Sequence, residues 1–194
     1  MLLLNKEDLI MNTEVKVNDI ITPEQYEILQ PQFDCKTEFS DGKIIMHSDV
    51  SDKHNLITTR LVAELIPFFR KRKCRVRSEK IEIIFDEQHK FKPDVFVACG
   101  EIEMQGQSYL TSPTLVFEVI SKSTAPHDKV TKFNIYMKYG VKEYCLVEQT
   151  GFITQYSLID GWYEQTGAFR VGDVYKSTAI EGLEFEVENI FEEE

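Results

Sequence analysis

One carboxylate inside an apolar strand constrains this chain more than any other feature. Residues 115–120 read Leu-Val-Phe-Glu-Val-Ile, a continuous apolar run of the kind found in strands covered on both faces. An uncompensated carboxylate buried there costs several kcal/mol or takes up a proton. Glu118 therefore implies a metal ion, a cationic side chain or a site open to water. The stretch around it, Thr114–Glu148, reads as strand, loop, helix and strand, and the rest of the chain is organised about that unit.

The strand before it is Val95–Cys99, opened by Pro93-Asp94. Consecutive strands are usually neighbours, and if these two run antiparallel, Asp94 and Glu118 emerge at the same edge of the sheet. Taken alone, Pro-Asp is ordinary turn chemistry. After Glu118, Ile120 and Lys122 point to the same side by the period of two. Ser123 or Thr124 can then cap a helix that Pro126 helps to begin and Gly140 ends. On it Asp128, Lys132 and Tyr136 recur at i, i+4 and i+8 as a polar stripe, with Val130, Phe133 and Met137 forming an apolar one. Asp128 and Lys132 read either as a surface ion pair or as a face that delivers an ammonium to the sheet edge.

Elsewhere, Thr22-Pro23-Glu24-Gln25 carries the marks of a helix start, with a capping box, and the helix ends near Pro31. Residues 36–46 form a hairpin through Asp41-Gly42, on whose first arm Glu38 reads as a solvent-facing strand residue. A long helix begins at Ser51 or Asp52, with Ile57, Leu61, Leu65 and Phe68 on its apolar stripe; Pro67 should bend its last turn. His54 in its first turn reads by itself as a surface histidine. Residues 81–85 and 143–147 are strands, 100–113 an exposed loop, and the C-terminal part gives a hairpin around Asp160-Gly161 and two further short strands.

The 194 residues fit a single domain over 21–194 preceded by a loosely held leader, 1–20. Leu2–Leu4 fall far short of a signal-peptide core or a membrane span of roughly 20 apolar residues, so a cytoplasmic protein is expected. Cys35, Cys74, Cys99 and Cys145 show no paired spacing, which suggests reduced thiols. The net charge of −11 argues against a protein coated in nucleic acid, but residues 70–80 hold a local +6. That run reads as a solvated helix end or as a contact for backbone phosphate through Arg70, Arg72, Lys73, Arg75 and Arg77.

Glycine-rich phosphate loops, the GxSxG elbow and HExxH are absent from the sequence. Two carboxylates on adjacent strands with a nearby lysine suit metal-assisted phosphodiester hydrolysis with Mg²⁺ or Mn²⁺.

The series TEFSDGKI, DKHN, KPDVFV, FEVISKST and HDKVTKFNIYMKYGVKEYCLVE resembles the Uma2 family of restriction-endonuclease-like proteins. The likeness runs from about Thr22 to Phe191. It implies an α/β fold of the PD-(D/E)XK nuclease type: a central mixed β-sheet flanked by α-helices, here with additional C-terminal strands. It implies that Asp94 and Glu118 hold a divalent cation, with Glu38, His54, Ser121 and Asp128 as companion positions and Tyr136 in support. The family's usual lysine place, two residues after the Glu, is Ile120; Lys132 on the following helix is the implied substitute, with Lys122 a second candidate. DNA is the implied partner and a homodimer the implied assembly. A non-catalytic nucleic-acid-binding or regulatory protein on the same scaffold is the alternative, and a plain interaction module a third.

Overall fold

The computed structural model describes residues 20–47, 51–121 and 125–191. Apart from Ile20, the expected leader lies outside the described residues, as do Lys122 and the expected caps Ser123 and Thr124. Helix α1 (Pro23–Leu29) begins at the expected capping box, Thr22 Oγ1 accepting from Gln25 N–H and Gln25 Oε1 from Thr22 N–H. Strands β1 (Thr37–Ser40) and β2 (Lys43–Met46) form the hairpin through Asp41-Gly42. Helix α2 (Asp52–Phe69) is capped by Ser51 and continues through Pro67 to Phe69. Then come β3 (Cys74–Ser78), β4 (Ile83–Asp86), β5 (His89–Phe91) and β6 (Val95–Cys99). Strands β7 (Met104–Gln105) and β8 (Ser108–Tyr109) precede β9 (Leu115–Ile120). A π-helical stretch, His127–Lys132, leads into α3 (Phe133–Lys138) and then β10 (Glu143–Glu148). The long hairpin of β11 (Phe152–Ile159) and β12 (Trp162–Arg170), the short pair β13 (Val174–Lys176) and β14 (Glu184–Glu186), and α4 (Glu188–Phe191) complete the chain.

The central sheet has the order β12-β11-β10-β9-β6-β3 and is mixed: β9 and β10 are parallel, the other neighbours antiparallel. The parallel step exists because the π-helical stretch and α3 form the crossover between β9 and β10. One face of the sheet, with Val95, Val97, Leu115, Phe117, Cys145 and Val147, packs on Ile57, Leu61 and Leu65 of α2 and on the C-terminal segment. The opposite face, with Phe96, Val116, Tyr144 and Leu146, packs on Tyr136 of α3 and on Phe91. A second sheet, β2-β1-β5-β4-β8-β7, covers that face. This is the mixed α/β architecture expected from the sequence, a central mixed sheet with helices packed on it.

Several expectations fail for identifiable reasons. Residues 74–78 of the basic run form β3, an edge strand, and only Arg70 caps the helix. Antiparallel pairing sets Cys74 opposite Cys99 across β3 and β6, and the two are joined in a disulfide. The expectation of four reduced thiols therefore holds only for Cys35 and Cys145, which are free. The stretch 100–113 is not a plain exposed loop: it folds into the β7–β8 hairpin and buries Tyr109. On the π-helical stretch the polar stripe is the buried one, and Val130 is exposed.

Candidate functional site

Strands β6 and β9 pair antiparallel in the register Val95↔Phe117. One step further along the same register sets Asp94 opposite Glu118, as the sequence led one to expect. The backbone links them: Asp94 N–H donates to Glu118 Oε2 at 3.3 Å, and Val119 N–H to Asp94 Oδ2 at 2.8 Å. Both carboxylates are at least 95% buried, so each needs charged or hydrogen-bonding company.

Lys132 is the hub of that company. Its Nζ lies 2.9 Å from Glu118 Oε1, 3.1 Å from Glu38 Oε1 and 3.3 Å from Asp128 Oδ1. The π-helical stretch makes this possible, since it turns both Asp128 and Lys132 inward; wide turns of this type occur often at functional sites. Tyr136, one turn further on, donates its hydroxyl to Glu118 Oε1 at 2.8 Å. Glu38, read from sequence as solvent-facing, is wholly buried. The second sheet carries it inward, where Oε1 accepts from Lys92 N–H at 2.7 Å and Oε2 meets His47 Nε2 and His127 Nε2, each at 3.0 Å. His54 is likewise no surface histidine: it is buried, with Nε2 3.1 Å from Asp94 Oδ2.

Sequence reasoning missed four participants. Lys36, just before β1, places its Nζ 2.9 Å from Asp94 Oδ1. His47 and His127 clamp Glu38, and Glu79 Oε1 lies 3.9 Å from His54 Nδ1. Those last two atoms are buried without a hydrogen-bond partner among the described residues. Lys36 and His47 face each other at the open end of the β1–β2 hairpin, where the hairpin register could have placed them together; His127 and Glu79 come from other segments, and each looks alone like an ordinary polar residue.

The cluster forms the floor of a cleft of about 320 Å³, lined among others by Lys36, His54, Asp94, Glu118, Ser121 and Lys132. Of the basic run, Arg75 and Arg77 stand on β3, and Arg72 stacks on the Phe68 ring at 3.9 Å. The run does not line the cleft; the Ser78 end of β3, followed by Glu79, is the end that reaches it.

The electrostatics divide the two central carboxylates. Burial, with Asp94 and Asp128 close by, pushes the Glu118 carboxyl up to about 8 against the pull of Lys132. Asp94 goes the other way: against the cost of burial, the Lys36 ammonium and His54 hold it well below the usual carboxylate range. Glu38, in spite of its burial, is held low by Lys132, His127 and His47. Two adjacent carboxyls driven apart in this manner are characteristic of functional clefts.

The chain matches the family model Uma2, described as "Putative restriction endonuclease", over residues 23–188. The chain belongs to the Uma2 family. Every described residue of the cluster falls within the matched span. Two relatives from Synechocystis sp. (strain ATCC 27184 / PCC 6803 / Kazusa) are similar to it. One, "Uncharacterized protein sll1609", is 33% identical over 70% of this chain and 78% of its own length. The other, "Uncharacterized protein slr1290", is 30% identical over 67% of this chain and 70% of its own. The fold matches the crystal structure of "a putative nuclease belonging to DUF820" from Anabaena variabilis ATCC 29413, with a TM-score of 0.73, 20% identity, and coverage of 88% of this chain and 97% of that one. The Uma2 assignment makes this a nuclease-like protein, of a class whose chemistry calls for a divalent metal and a nucleic acid. Among the described residues no helix is long and apolar enough to cross a membrane.

Proposed function

We propose that this Uma2 chain is an endonuclease that hydrolyses DNA phosphodiester bonds with Mg²⁺ or Mn²⁺ held by Asp94 and Glu118. The observation that carries the reading is the pairing of those two carboxylates at one sheet edge, on the floor of a cleft, with a lysine 2.9 Å from Glu118. The donor set fits such an ion. Both ligands are hard oxygens, and Glu118 Oε2 has among the described residues only the long bond from Asp94 N–H. No three or more His, Cys, Asp or Glu side chains among the described residues are grouped so as to hold a metal; Mg²⁺ commonly needs no such cage, taking one or two carboxylates plus water and substrate phosphate. Bound there, the ion would polarise a phosphoryl oxygen and acidify a water.

The chain's own residues prepare that chemistry. Lys36 and His54 keep Asp94 ionised and fixed. Glu118 is oriented by Tyr136 and Lys132, which both donate to its Oε1. Glu38 and Asp128, anchored in turn by the histidines and the π-helical stretch, hold Lys132 beside Glu118. Ser121 lines the same cleft. In the proposal Arg70, Arg72, Lys73, Arg75 and Arg77 touch backbone phosphate along the sheet edge, and two chains act as a homodimer so that both strands of a duplex meet a site. The site of action is the cytoplasm, where thiol reductants would open the Cys74–Cys99 bridge. The test is plasmid cleavage in Mg²⁺ or Mn²⁺ by wild type, Asp94→Ala and Lys132→Ala; equal cutting by all three sinks the assignment.

One observation favours a second reading, a nucleic-acid-binding protein without turnover. The candidate ligands are already neutralised, Asp94 by Lys36 and Glu118 by Lys132. That reading expects salt-sensitive DNA binding, no cleavage, and unchanged binding in Asp94→Ala.

A further inference from the structure

The two lysines of the site are not equivalent. An ammonium has three N–H donors. Lys132, whose side chain has no exposed surface, is enclosed by three carboxylates: its Nζ donates to Glu118 Oε1 at 2.9 Å and forms ion pairs with Glu38 Oε1 at 3.1 Å and Asp128 Oδ1 at 3.3 Å. Turning Lys132 toward a substrate would draw its charge away from buried carboxylates that it balances, which is unfavourable in a closed interior. Lys36 stands differently. Its side chain is 18% exposed, and among the described residues its Nζ has one ionic partner, Asp94 Oδ1, to which it also donates its one hydrogen bond. Among the described residues its other two donors meet no acceptor.

We infer that Lys36, rather than Lys132, is the catalytic cation that meets the scissile phosphate, and that Lys132 is a positioning residue that sets Glu118. The assignment rests on the nuclease reading above and sharpens it. Lys36 is one hydrogen bond from Asp94, so a phosphate drawn to the Asp94–Glu118 position comes within the reach of an ammonium with donors to spare. Asp94 and Lys36 then divide the work: the carboxylate serves the ion, and the ammonium the charge that develops on the non-bridging oxygens. The lysine missing at Ile120 is replaced in this account from the residue that precedes β1, not from the helix.

The test compares wild type with Lys36→Ala, Lys36→Arg and Lys132→Met in three measurements: cleavage of a plasmid in Mg²⁺, affinity for a short DNA duplex across a salt series with Ca²⁺ in place of Mg²⁺, and affinity for Mn²⁺ alone. Lys36→Ala should cut on the order of 10² to 10³ slower. It should lose about one unit of the log–log salt slope and bind Mn²⁺ at least as well as wild type, because a competing cation has left Asp94. Lys36→Arg should recover the slope. Lys132→Met should keep the wild-type slope. The assignment is overturned if Lys36→Ala cuts and binds DNA like wild type, or if it loses Mn²⁺ affinity, which would make Lys36 a mere prop for Asp94. A change of slope in Lys132→Met with none in Lys36→Ala also overturns it. Should wild type bind DNA and cut nothing, the nuclease reading fails, while the salt slope still decides whether Lys36 holds phosphate. Absence of DNA binding by wild type overturns both.

Discussion

Glu118 and Glu143 are both buried glutamates on the neighbouring parallel strands β9 and β10, and they are satisfied in opposite ways. Glu143 is surrounded by neutral donors. Its Oε1 accepts from Gln155 Nε2 at 2.7 Å and from the Tyr175 hydroxyl; its Oε2 accepts from Ser177 Oγ, Thr178 N–H and Ala179 N–H at 2.7–2.8 Å and from Thr178 Oγ1 at 3.1 Å. That arrangement is a clasp between β10 and the segment after β13. Glu118 instead faces charge: Lys132 on one oxygen, Asp94 and Asp128 nearby, and a cleft above. A buried carboxylate saturated by backbone and hydroxyl donors has no capacity left for a ligand. One balanced among charges keeps that capacity at the expense of stability. Burial alone therefore does not separate the two glutamates; the type of partner does.

The sharpest way to break this contrast is activity. Glu118→Gln should lower cleavage at least 10²-fold, the scale of losing an electrostatic contributor in a closed site, while Glu143→Gln should leave the rate of the folded protein unchanged. Equal losses in plasmid assays would erase the distinction. The next largest effect is on stability: Lys132→Met leaves three carboxylates without their cation and should cost about 3–5 kcal/mol in chemical denaturation. Glu143→Gln should cost about 1–3 kcal/mol, because its amide turns an N–H₂ toward groups that themselves donate.

The pH dependence sharpens the comparison further. A carboxyl raised on folding, as Glu118 is from 4.5 to about 8, binds its proton more tightly in the native state. Its contribution is full below its unfolded pKa and is lost as pH rises through about 8. Asp94 has the opposite sign: held below 3.8, it stabilises above that value and the gain is lost on acidification. In EDTA, then, the denaturation midpoint of wild type should fall between pH 5 and 8, and Glu118→Gln should flatten that fall. A slope unchanged by the substitution would remove Glu118 as its source. The smallest effect serves as a control. Lys129, adjacent in sequence to Asp128, is exposed and lies 3.7 Å from Glu148, and Lys129→Ala should alter stability by no more than about 0.5 kcal/mol.

How much of this was legible in the sequence follows from the range of each signal. Glu118 is conspicuous because its apolar neighbours are contiguous, and Asp94 becomes its partner once two consecutive strands are taken as antiparallel. The stripe of Asp128, Lys132 and Tyr136 is a helical spacing that can be read directly, but the direction it faces depends on the sheets beneath it. Glu38 and His54 misled for the same reason: a polar residue at a strand or helix position defaults to solvent unless its tertiary partners are known. Lys36 and His47 flank the open end of the β1–β2 hairpin while His127 comes from the π-helical stretch, and the β3–β6 register that joins Cys74 to Cys99 spans 25 residues. Long-range pairing of this type leaves no trace in local composition.

The central claim is that the Glu118 cluster is a cation site and the Glu143 cluster is not. Mn²⁺ titration of wild type, Glu118→Gln and Glu143→Gln, followed by the loss of the free-ion EPR signal, tests it most directly. The account predicts one Mn²⁺ bound by wild type and by Glu143→Gln with equal affinity, and at least tenfold weaker binding by Glu118→Gln. Equal binding by all three proteins, or none by wild type, would contradict it.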